Sequence, residues 1–72
     1  MQQLDARNLK CPLPVLRANQ ALKKMAIGGQ LEVLATEPGI AQHFETYCDR
    51  NGYRLVTHSQ SSDEHCIVIE KR

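Results

Sequence analysis

Two stretches of helical apolar spacing, separated and flanked by strand-like alternation, restrict this chain to a small set of folds. From Cys11 to Ile27, Val15, Ala18, Leu22 and Met25 share one helical face, with Arg17, Gln20, Lys23 and Lys24 on the other. Pro12 and Pro14 suit the start of this helix, where a missing N–H costs nothing. Gly28-Gly29 is expected to end it. A second helix is expected to open at Pro38, with Glu37 just outside lending negative charge to its N-terminus. Its stripe is Ile40, Ala41, Phe44, Tyr47 and Cys48, and Asn51-Gly52 closes it.

The remaining segments read as strands. Residues 2–6 place Leu4 and Ala6 on one side, and 30–36 place Leu31, Val33 and Ala35 on one side with Glu32 and Leu34 on the other. Tyr53–Ser59 and His65–Lys71 are β-rich runs around a polar hairpin loop, Gln60–Glu64. The order βαβαββ predicts right-handed crossovers between parallel neighbours and an antiparallel final pair. The expected fold is α+β: a two-layer sandwich with a four-stranded mixed sheet and both helices on one face. The other face is then partly open, where Leu34, Val56 and Val68 can lie.

A chain of 72 residues without linker, repeat or low-complexity segment is expected to form a single domain over 1–72. About 60% of the unfolded surface of so short a chain is buried on folding, too little for a deep, enclosed active site. The net charge of +1 lacks the basic bias of a generic nucleic-acid binder. No apolar run reaches membrane-span length and MQQLDARNLK lacks a signal-peptide core, so the cytosol is the expected compartment.

Cys11, Cys48 and Cys66 make an odd set without a CxxC pair, which argues for reduced thiols and against a disulfide framework or zinc ribbon. Cys48 lies on the apolar stripe of the second helix and reads as structural. Cys66 reads as passive, facing away from Ile67 and Ile69, with oxidation sensitivity as the lesser alternative. Cys11 differs. It stands where the first helix begins, near Arg7 and Lys10, facing the N–H groups of Leu13 and Val15 and the positive end of the helix dipole. That setting is expected to lower its pKa from a free value of about 8.5. Local physics leaves both a functional and a buried structural role open for this thiol.

His43, His58 and His65 lack metal-ligand spacing and read as surface or boundary residues, so no metal or cofactor is expected. A Cys/His hydrolase would need an aligned base, an oxyanion hole and a cleft. A thioredoxin-like exchanger would need a second cysteine where Pro14 stands. A KH-type RNA module needs a GxxG loop, and one Phe with two Tyr provides little for base stacking. Lys10, Arg17, Lys23 and Lys24 form a solvated basic face or, next to Cys11, a docking surface for an acidic partner.

The opening Leu4-Asp5-Ala6-Arg7-Asn8-Leu9-Lys10-Cys11-Pro12-Leu13-Pro14-Val15 resembles the signature L-D-x-R-G-L-x-C-P-x-P-V of the TusA (SirA-like) sulfur-carrier proteins. Ala35-Thr36-Glu37-Pro38 is similar to their A-T-D-P, and Cys48 to a cysteine near the end of their second helix. The resemblance spans essentially the whole chain. It implies the βαβαββ sandwich, and it implies that Cys11 carries sulfane sulfur as a persulfide. The implied partners are a donor, a cysteine desulfurase or rhodanese-like protein, and a protein acceptor in tRNA thiolation or another sulfur-trafficking pathway. Direct nucleic-acid binding and membrane insertion are not expected.

Asn8 stands where the family usually has glycine, Glu37 for aspartate, His43 for an acidic residue and Tyr53 for histidine. A second reading is a non-catalytic binding or regulatory module whose basic helix face docks a protein, RNA or transporter. A third is a redox sensor pairing Cys66 with Cys11.

Overall fold

The computed structural model describes residues 2–10 and 12–72. Its elements are β1 (Gln2–Ala6), α1 (Leu13–Lys23), β2 (Gln30–Ala35), α2 (Ile40–Asn51), β3 (Arg54–Ser61) and β4 (Glu64–Glu70). The sheet order is β1-β2-β4-β3. β1 runs parallel to β2, whereas β4 is antiparallel to both β2 and β3. The expected mixed four-stranded sheet with two helices is therefore present.

One expectation changes. β2 and β3 point the same way across the α2 crossover but are not neighbours, because β4 lies between them. The pattern of burial explains the insertion. β4 is apolar on both faces, with Ile67 and Ile69 fully buried and Val68 nearly so. β3 is mostly exposed and polar, which suits an edge. The β3–β4 turn is also tighter than expected, since pairing continues to Ser61↔Glu64. A bulge at Val56 shifts the register between Leu55 and Thr57, so that Leu55, opposite Ile69, packs on the core and Thr57 pairs with Val68.

The core lies between the sheet and the helices. Leu31, Val33 and Ala35 of β2 meet Ile67 and Ile69 from the sheet side, and Ala18, Leu22, Ile40, Phe44 and Cys48 from the helices. Pro14 also points inward and is fully buried. Val15 and Met25, expected on the core face of α1, are only half-buried at its edge.

α1 starts two residues later and ends four residues earlier than its pattern predicts. Pro12 is the N-cap and Pro14 sits in the first turn. At the other end the Lys71 ammonium donates to the carbonyls of Lys23 (3.3 Å) and Met25 (2.9 Å), capping the helix with a charge favourable to its dipole. Gly28, at φ 91°, turns the following segment so that its N–H meets the Lys71 carbonyl at 2.7 Å. Ile27 is left exposed. α2 begins after Pro38-Gly39 rather than at Pro38, and no side chain caps it, so Glu37 contributes only a backbone carbonyl to Ile40 N–H (3.2 Å). Gly52, left-handed at φ 71°, ends α2 as expected.

Candidate functional site

The segment joining β1 to α1 carries the signature residues, and long-range polar contacts set its path. Arg7 donates through Nε and Nη2 to the two carboxylate oxygens of Asp5, each at 2.9 Å, and Nη1 lies 3.7 Å from Glu64 of β4. These hydrogen bonds, with the Arg7 backbone N–H adding to them, hold the Asp5 carboxyl at about 2. Asn8 adopts a left-handed conformation at φ 67°, the conformation glycine takes at no cost, and its N–H donates to Thr36 Oγ1 at 2.9 Å. Leu9 N–H closes the turn on the Ala6 carbonyl. The resemblance at Ala35-Thr36 thus has a physical counterpart: Thr36 anchors the segment that leads to Cys11.

Cys11 itself lies outside the described residues. Its chain neighbours Lys10 and Pro12 are both exposed. The expectation that Leu13 N–H remains free for the thiol is corrected, since this group donates to the Lys10 carbonyl at 2.9 Å. Leu16 N–H likewise bonds the Pro12 carbonyl at 3.0 Å, as the first turn winds up directly from the N-cap.

Of the clefts that border this stretch, two lie on the side of α1. One, about 490 Å³, is lined by Leu9, Asn8 and Thr36 with the charged groups Asp5, Arg7, Arg17 and Glu64. The other, about 390 Å³, runs between the helices. Half-buried Val15 and Tyr47 floor it, and exposed Pro12, His43, Thr46 and Arg50 border it. Tyr47 packs edge-on against Phe44 and Tyr53 and donates its hydroxyl to Asn19 Oδ1 at 2.8 Å.

The other two thiols occupy very different settings. Cys48 is buried, which pushes it up to about 11, with nearby Asp49 adding to the effect. Its structural reading agrees with that burial. Cys66 lies on the open sheet face, as expected from its alternation with Ile67 and Ile69. Its thiol donates to Glu32 Oε2 at 3.4 Å, and partial burial followed by the Glu32 carboxylate raises its pKa.

His43 and His58 are exposed, but His65 is 8% exposed and therefore buried, contrary to the surface or boundary reading. It lies diagonally from His58 across β3–β4, and His58 Nε2 sits 2.9 Å from His65 Nδ1. Neither the pair nor the Arg7–Glu64 contact has a local sequence signal, since each depends on strand register. Among the described residues no three His, Cys, Asp or Glu side chains are grouped to hold a metal. Among the same residues no helix is long and apolar enough to cross a membrane.

Comparison with known proteins assigns the family. The profile described as sulfurtransferase TusA matches residues 2–71. The sulfur carrier protein TusA of Allochromatium vinosum is 37% identical over 70 residues, covering 97% of this chain and 92% of its own. A Neisseria meningitidis protein provisionally named a sulfur carrier is 39% identical over 71 residues, covering 99% and 96%. The crystal structure of the SirA-like protein from Desulfitobacterium hafniense superposes with a TM-score of 0.86 at 26% identity, covering 97% of this chain and 96% of that one. The chain belongs to the TusA sulfurtransferase family.

Proposed function

We propose that this chain is a sulfur carrier that holds sulfane sulfur as a persulfide on Cys11. The single observation that carries the reading is family membership combined with the Cys11-Pro12-Leu13-Pro14 element at the start of α1. The Cys11 thiolate attacks the outer sulfur of a donor persulfide. The donor's S–S bond breaks, the donor cysteine leaves as a thiolate, and a new S–S bond forms on Cys11. The same exchange, reversed in direction, passes the terminal sulfur to an acceptor thiol. Neither step requires a deep pocket, which suits a chain of this size.

The donor class is a cysteine desulfurase or rhodanese-like protein, and the acceptor serves tRNA thiolation or another sulfur-trafficking route in the cytoplasm. Residues 1–72 act as one domain in this role. Incubation with a cysteine desulfurase and cysteine, followed by intact-mass measurement, is expected to show a sulfur adduct that is lost in Cys11→Ser. An adduct that persists in Cys11→Ser but disappears in Cys48→Ser would overturn the assignment.

A further inference from the structure

The cleft between α1 and α2 has a composition that selects an occupant. Half-buried Val15 and the Tyr47 ring supply an apolar floor, and none of its lining residues is acidic. Arg50 and His43 stand on its border. At 100° per residue, helical phase turns the acidic side chains of α2, Glu45 and Asp49, toward a different flank. The neighbouring 490 Å³ cleft differs in that it carries charge of both signs, Asp5 and Glu64 beside Arg7 and Arg17. Outside the lining of the cleft, α1 leaves Leu13 and Leu16 43% and 50% exposed one turn apart, two of the three large apolar side chains left exposed among the described residues. The cleft volume of about 390 Å³ is near the lower end for ligand pockets, enough for a few side chains and too small for a packed element.

We propose that this cleft seats an extended apolar segment of a partner protein flanked by carboxylates, delivering the partner's sulfur at the Pro12 end beside Cys11. The proposal rests on the sulfur-carrier reading and specifies the chemistry of the partner for the same site. The apolar side chains cover Val15 and Tyr47, and the carboxylates pair with Arg50. Pro12, which directly follows Cys11 in the chain, lines this cleft, so the occupant sits against the chain neighbour of the proposed carrier residue.

The test is an NMR titration of the full chain with an eight-residue peptide alternating leucine and glutamate, against the same peptide with lysine for glutamate. The acidic peptide is expected to shift the amides of Val15, Thr46, Tyr47 and Arg50, and Arg50→Glu to weaken its binding about fivefold or more. Thr46→Asp, an exposed change on the same border, is expected to act likewise. Equal binding of the lysine peptide, shifts confined to the sheet, self-association through these residues, or no shift at millimolar peptide would overturn the proposal. Loading of Cys11 from inorganic polysulfide separates the two readings. Its absence in the unmodified chain would overturn the sulfur-carrier reading, whereas failure of the acidic peptide to bind a chain that still loads would overturn only the cleft proposal.

Discussion

The Tyr47 hydroxyl donates to Asn19 Oδ1 at 2.8 Å and so ties α2 to α1 across the floor of the interhelical cleft. The phenol is pushed up to about 12, chiefly by burial, and it remains a neutral donor throughout the physiological range. Tyr47→Phe keeps the ring contacts with Phe44 and Tyr53 but strands the Asn19 carbonyl. The expected loss is about 1 kcal/mol, read from urea unfolding. An unchanged midpoint would mean that water replaces the tie without cost.

Lys71 reaches from beyond β4 to the end of α1, and its ammonium serves two carbonyls there. Lys71→Ala removes both contacts together with a charge matched to the helix dipole. A loss of about 1 kcal/mol in unfolding free energy is expected. Faster amide exchange should be confined to the last turn of α1. Uniformly faster exchange would place the effect elsewhere.

At Asn8 the backbone, at φ 67°, decides the outcome. Asn8→Gly keeps the N–H donor to Thr36 and relieves the left-handed conformation, so stability should hold or rise slightly. Asn8→Ala should cost about 1 kcal/mol in chemical unfolding. A glycine variant weaker than the alanine variant would show that the Asn8 side chain, and not its backbone, matters.

These contacts separate what sequence reveals from what it cannot. Apolar periodicity identifies the elements because burial imposes it, as at Leu31, Val33 and Ala35 or at Ile40, Phe44 and Cys48. It does not set helix ends. α1 stops at Lys23 because Lys71, 48 positions away, caps it there. The position of β4 between β2 and β3 follows from a comparison of two strands' polarity, and the His58–His65 contact follows only once register is known. The signature around Cys11 is local, so the candidate site is legible from sequence. Its supports, Thr36 and Glu64, come from other strands' ends.

The thiols should differ in reactivity for opposite physical reasons. In a Cys11→Ser background, Cys66 should alkylate in the folded protein and Cys48 only as the chain unfolds, because Cys48 is sealed in the core. Glu32→Gln removes the carboxylate that disfavours the Cys66 thiolate and should raise its alkylation rate a few-fold. For Cys48, a folded pKa of about 11 above an ordinary 9.0 means its favourable burial is fully present below pH 9 and fades as pH rises toward 11. Peptide mapping after timed alkylation checks the order, and Cys48 labelling ahead of Cys66 would contradict it.

Acid should loosen the turn that leads to Cys11. Asp5 has an ordinary pKa of 3.8 and is held at about 2 by the Arg7 hydrogen bonds. Because the folded value is the lower one, its contribution is present above about pH 4 and disappears as pH falls through 2. Urea midpoints for the unmodified chain and Asp5→Asn should therefore differ at pH 6 and converge near pH 2. Both side chains are exposed and the pair is screened, so high salt should shrink the difference at pH 6. A gap of the same size at both pH values would show that the Asp5 charge does not hold the turn and that shape alone does.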